Sequence, residues 1–228
     1  MRANQPPVVT FDLFSALIDS RSGGSTALCG ISVARGWHRT GHEVYEEWDR
    51  RNKAAQRASI RWVPYTTLAR EALASSYAAH ALHGDARDDL QRMLNSLPEW
   101  PLWDDVAESM PVLAERHRIG LLSNVDDHLF RRTAAARYLD PDLVLTSERL
   151  RAYKPDPRIY LRAREALGSM VHVATSARDV RGALEAGIPV VRLRRPGHQL
   201  DPEGPRPGLV ADRLADVPAL VERSRCAG

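Results

Sequence analysis

The stretch Val8-Val9-Thr10-Phe11-Asp12-Leu13-Phe14-Ser15-Ala16-Leu17-Ile18-Asp19 opens with an apolar, β-rich run that stops at an acid. Two small residues, Ser15 and Ala16, then break the run before Leu17-Ile18 resume, the pattern of a buried strand entering a tight turn. Working outward, similar short apolar runs recur at Ile119-Gly120-Leu121-Leu122, Leu143-Val144-Leu145, Val171-His172-Val173-Ala174 and Val190-Val191-Arg192-Leu193. Helical patterns separate the last four, over 128–138, 158–167 and 180–186. Short strands alternating with helices predict an α/β fold, a parallel sheet covered on both faces.

Residues 20–100 break this alternation. They carry no convincing strand but have amphipathic helical segments at 42–57 and 66–83, and Pro98-Glu99-Trp100-Pro101 closes them. The expected organisation is a core domain of residues 1–19 and 101–228, with a helical cap domain of residues 20–100 inserted over the strand ends. Residues 194–208 hold four prolines and three glycines, so they are expected as a surface loop before a last helix over 216–223.

Composition narrows the function. With 43% apolar and 27% charged residues, the 228-residue chain can bury a core and remain well solvated. No apolar run approaches the roughly 18–20 residues of a membrane span, and the N-terminus lacks a signal-peptide pattern. A cytoplasmic protein without a membrane partner is expected. Cys29 and Cys226 give neither metal-ligand spacing nor a disulfide framework. The net charge of +3 comes from scattered arginines without a basic, aromatic-interleaved stripe, which argues against a nucleic-acid partner. Only two of 32 basic residues are lysines, Lys53 and Lys154. A lysine retained in such a composition points to a task for a compact ammonium that a guanidinium fork does not perform.

In an open parallel sheet, ligands bind beyond the carboxyl ends of the strands. The polar residues following the expected strands should therefore converge: Asp12, Ser123-Asn124, Lys154, Thr175-Ser176 and Asp179. A carboxylate facing an ammonium, with hydroxyls and an amide nearby, is equipment for a carboxylate nucleophile, because the lysine favours its ionised form.

Taken in order, VVTFDLFSALID, GLLSNVDD, YKPDPRIY and HVATSARDVRGALEAGIP resemble the four motifs of the haloacid dehalogenase superfamily of hydrolases. The resemblance implies a Rossmann-like three-layer sandwich with strand order 5-4-1-2-3 and a helical cap between the first two motifs. It implies Asp12 as nucleophile of a covalent aspartyl intermediate. Lys154 would stabilise Asp12, Asp179 would position Lys154, and Ser123, Asn124 and Ser176 would orient the substrate.

Phe14 stands where phosphatases of this superfamily carry a second Asp. With Tyr160, it is similar to the 2-haloacid dehalogenase branch, which hydrolyses at carbon without a metal. Phe14, Tyr160, Thr175, Trp48 and Arg50 are the expected substrate contacts, Arg50 as a candidate halide-binding arginine. The partner would be a small organic acid; a homodimer stays open. Two alternatives stand beside this reading. One is a magnesium-dependent phosphatase of small phosphate esters, with Mg2+ held by Asp12, the backbone carbonyl of Phe14 and Asp179. The other is a degenerate member that binds without turnover.

Overall fold

The computed structural model describes residues 6–226; residues 1–5 and 227–228 of the expected core, and the side chain of Cys226, lie outside the described residues. The elements run β1 (Val8–Phe11), α1 (Ser20–Arg35), α2 (Gly41–Ala58), α3 (Tyr65–Ala79), α4 (Ala86–Asn95), α5 (Val106–Ala114), β2 (Ile119–Ser123), α6 (Asp127–Phe130), β3 (Val144–Thr146), α7 (Ser147–Leu150), α8 (Pro157–Leu167), β4 (Met170–Ala174), α9 (Ala177–Glu185), β5 (Val190–Leu193), β6 (Leu209–Ala211) and α10 (Val217–Cys226).

All strand pairings are parallel, in the order β3-β2-β1-β4-β5-β6. This is the expected 5-4-1-2-3 order seen from the other edge, with one added strand. Residues of β1, β2 and β4 are buried without alternation, as strands covered on both faces must be. In register, Val9 lies between Ile119 and Val171, and Phe11 between Leu121 and Val173. The first, second and fourth strands therefore end side by side, and each delivers its next polar residue to one rim.

The sixth strand corrects the expected tail. Leu209-Val210-Ala211 is too short to signal a strand after fifteen Pro- and Gly-rich residues, yet it closes the β5 edge. The expected helix over 128–138 is also shorter. It stops at Phe130, and a 3-10 turn follows at Ala134–Tyr138.

Four helices, α1 to α4, fill the segment between β1 and Trp100. α2 begins with a reciprocal capping box between Thr40 and Glu43. α1 escaped the helical reading because Gly23, Gly24 and Gly30 dilute its pattern. Close approach explains two of these glycines: a Cβ on Gly23 would lie 2.5 Å from Trp100 Cγ, and one on Gly24 2.2 Å from Tyr45 Cε2. The passages leaving and re-entering the sheet are bonded to each other. Asp19 donates its backbone N–H to Pro101 at 2.9 Å, and Trp103 donates to Leu17 at 3.1 Å. No helix among the described residues is long and apolar enough to cross a membrane.

The tail after β5 is fastened to the turn that follows β1. Arg195 donates twice to the carbonyl of Ala16 (3.1 and 3.0 Å), pairs with Asp105 at 2.8 Å and lies over the Trp103 ring. Its side chain is only 7% exposed, so Arg195→Ala should cost about 3–5 kcal/mol by stranding Asp105 and the carbonyl. Arg194→Ala, which breaks an exposed pair with Asp212, should cost less than about 1 kcal/mol. Urea denaturation of both variants checks the contrast.

Candidate active site

Asp12 follows β1, its backbone N–H donating to Val173 O at 3.1 Å. Its carboxylate is largely buried and every oxygen has a donor. Oδ1 accepts from Ser123 Oγ at 3.0 Å and Lys154 Nζ at 3.1 Å; Oδ2 accepts from Ser15 Oγ at 3.1 Å. Ser15 sits in the turn at φ 86°, a left-handed conformation that favours glycine.

Lys154, 2% exposed, is the hub. Its Nζ lies 3.1 Å from Asp12, 2.6 Å from Asp179 Oδ2 and 3.3 Å from His172 Nε2. An ammonium carries three donors, and here two carboxylate oxygens and the His172 ring face it. Asn124 fixes the backbone below: its Oδ1 accepts from Lys154 N at 2.8 Å, and its Nδ2 donates to Lys154 O at 3.1 Å. Ser123 and Asn124 thus hold different partners, the Asp12 carboxylate and the lysine's main chain.

Asp179, in the first turn of α9, accepts from Tyr160 OH at 2.9 Å on its other oxygen. Burial alone would raise its pKa. The positive Lys154 and the His172 contact outweigh that and hold it below the ordinary carboxylate range. Gly182 makes this packing feasible, since a Cβ there would lie 2.9 Å from both Pro155 and the Tyr160 hydroxyl.

These groups form the floor of a cavity of about 670 Å³, open mouth included. The floor also presents Ser176, whose hydroxyl makes no capping bond to α9. From above, α2 contributes Trp48, Asn52 and Gln56. Phe14 and Trp100, rings 5.8 Å apart, form an apolar wall.

Three expected substrate contacts are corrected. Arg50 points to solvent and forks onto Glu47 at 2.8 and 2.9 Å. Two residues after Trp48, it falls on the opposite face of α2, and Arg51 likewise pairs with Glu47. Thr175 is fully buried and donates to Leu193 O at 2.9 Å, so it ties β4 to β5. Tyr160 is fully buried behind Asp179 and touches the carboxylate instead of the cavity.

Several site residues escaped the sequence reading. His172 is fully buried inside β4, with Nδ1 3.2 Å from Thr10 O and 3.0 Å from Thr10 Oγ1. Its Nε2 faces both Asp179 oxygens, at 3.2 and 3.1 Å, as well as Lys154 Nζ at 3.3 Å, so the imidazole joins the lysine and its counter-ion. A lone imidazole in the run Val-His-Val-Ala was the available signal. Gln56 and Asn52, four residues apart, were buried polar groups on an otherwise ordinary amphipathic helix. Lys53 also lines the cavity, paired with Asp49, so both of the chain's lysines reach this one site. His198, from the tail, completes the rim. Burial and then Lys53 push its imidazole below the ordinary histidine value, which favours the neutral form.

The magnesium arrangement of Asp12, Phe14 carbonyl and Asp179 does not fit this donor set. All four carboxylate oxygens of Asp12 and Asp179 already accept bonds, and the Lys154 ammonium stands between the two acids. No group of three or more His, Cys, Asp or Glu suited to a metal ion occurs among the described residues.

A model of the haloacid dehalogenase-like hydrolases matches residues 6–187. The chain belongs to that family. Among haloacid dehalogenase relatives, it is 31% identical over 145 residues to (S)-2-haloacid dehalogenase 4A of Burkholderia cepacia, covering 60% of this chain and 62% of that one. It is 27% identical over 199 residues to (S)-2-haloacid dehalogenase of Xanthobacter autotrophicus, covering 82% and 74%. The chain thus spans under two thirds of the Burkholderia protein. The fold matches the structure of L-2-haloacid dehalogenase from Xanthobacter autotrophicus with a TM-score of 0.81 at 21% identity, over 96% of this chain and 99% of that one.

Ser15 joins backbone strain to a hydrogen bond on Asp12. Ser15→Gly should raise stability by about 1 kcal/mol through relief of the left-handed strain. Thermal melting and turnover measured together check the trade, with turnover expected to fall as Asp12 Oδ2 loses its donor.

Proposed function

We propose that this chain hydrolyses a small 2-halocarboxylic acid at carbon through Asp12, without a metal. The observation that carries the reading is the buried Lys154 shared between Asp12 and Asp179. It sets a buried positive charge against the attacking carboxylate and commits Asp179 to its role as counter-ion. In the first step an Asp12 carboxylate oxygen bonds to the halogen-bearing carbon, and halide leaves with the bonding pair. In the second, water adds to the Asp12 acyl carbon of that ester. The ester C–O bond breaks at the acyl carbon, the 2-hydroxy acid departs and Asp12 is restored, with one proton released.

The chain's own side chains suit these steps. Ser123 and Ser15 orient the two Asp12 oxygens. Phe14 excludes water beside the nucleophile and supplies no proton, which a departing halide does not need. An alkyl phosphate does need one, and general-acid help is typically worth roughly 10²–10⁴-fold. Phe14 therefore weighs against the phosphatase reading.

The test is turnover of 2-chloropropanoate and of alkyl phosphates, each with magnesium and with chelator. Halide release unaffected by chelator is expected, with negligible phosphate release. Asp12→Asn should lose roughly 10⁴-fold or more while melting normally. Lys154→Arg should fall as far as Lys154→Ala, because a planar fork cannot meet Asp12 and Asp179 in a buried slot arranged about a point charge. Magnesium-dependent phosphate release by the unmodified protein would overturn the proposal.

A further inference from the structure

The carboxylates lining the cavity are paired with two cations: Asp12 and Asp179 share Lys154, and Asp49 has Lys53. The third cation, Arg178, makes no ion pair among the described residues. It lies in the first turn of α9, half-buried at the cavity wall beside Ser176. One guanidinium nitrogen, Nη2, donates to Gln56 Oε1 at 3.0 Å. The other, Nη1, is buried and has no hydrogen-bond partner among the described residues.

A buried, unpaired N–H of a charged group is costly, and such groups are rare enough to call for an explanation. Here the guanidinium is held in place deliberately. Gln56 Oε1 also accepts from Asn124 Nδ2 at 2.9 Å, and Gln56 Nε2 donates to Asn52 Oδ1 at 3.2 Å. A chain Asn52–Gln56 on α2 thus clamps Arg178 against Asn124, the residue that fixes Lys154, and leaves Nη1 unspent.

We propose that Arg178 is the anchor for the substrate's carboxylate and so sets the requirement for an acid; this rests on the reading of the reaction given above. A carboxylate matches a guanidinium fork better than a spherical halide does. In-line displacement also sends the leaving group away from Asp12, across the reacting carbon. Arg178 stands on the same rim of the sheet as Asp12, at the start of the helix after β4, where a group that stays on the carbon would be held. Arg50, on α2, faces solvent and is spent on Glu47, so it offers the bound acid no contact.

Binding without turnover separates this inference from the reaction. Propanoate and propanamide are titrated by calorimetry into Asp12→Asn protein, with and without Arg178→Gln or Arg178→Leu, each checked by thermal melting. Propanoate should bind about 10- to 100-fold more weakly in both Arg178 variants, the worth of one charged hydrogen bond. Propanamide should be unaffected. That result supports the anchor even if no haloacid is ever turned over. Unchanged propanoate affinity in the folded Arg178 variants overturns it. On the otherwise unmodified protein, Arg178→Gln should raise KM equally for 2-chloro- and 2-bromopropanoate. A kcat loss larger for chloride than for bromide, with KM unchanged, would make Arg178 a leaving-group contact and overturn the anchor.

Discussion

A single ammonium, almost out of reach of water, holds this site together. Taking a lysine out of water costs several kcal/mol unless charges and hydrogen bonds replace its hydration. Lys154 recovers that cost from Asp12, Asp179 and His172 at once, and its main chain is clasped by Asn124. Asp12 and Asn124 come from the ends of β1 and β2, Asp179 from the start of α9, and His172 from within β4. The arrangement therefore exists only if β2, β1 and β4 lie side by side in parallel, which is the observed order. The same geometry disposes of both acids: Asp179 is committed to its role as counter-ion, and Asp12 is left as the carboxylate that faces the open cavity.

The parts of this arrangement visible in the sequence are those that the backbone geometry dictates. A strand covered on both faces must be a short apolar run, and the first polar residue beyond it must lie at the rim, so Asp12, Ser123 and Asn124 could be placed from pattern alone. Lys154 was marked by its rarity beside 30 arginines. Failure began where direction within an element mattered. Ser176 and Thr175 are neighbours, yet one faces the cavity and the other bonds the adjacent strand. Arg50 and Asn52 differ by two positions on α2, and that angle alone sends one to solvent and the other inward. β6 was lost because three residues carry too little periodicity to register against the loop before them.

Residues that act through other residues left still less trace. His172 occupies a strand position that periodicity marks as core, and its partners lie 162 positions away at Thr10, in Lys154, and in Asp179. Nothing local distinguishes it from an accidental polar residue. Tyr160 was visible only through resemblance, which located the residue but not its direction. Its hydroxyl serves Asp179 from behind, where burial raises its own pKa far above 10 and keeps it a donor.

The division of labour between the two layers follows from these electrostatics. The cap meets the cavity with neutral hydrogen-bonding groups and with a lysine already matched to Asp49, so it brings no uncompensated charge to the mouth. The floor brings two acids that share Lys154 and, beside Ser176, a guanidinium with one nitrogen unpaired among the described residues. The charges that α2 brings are spent on each other, so the cation without a carboxylate partner belongs to the floor, where Gln56 reaches down from α2 to hold it.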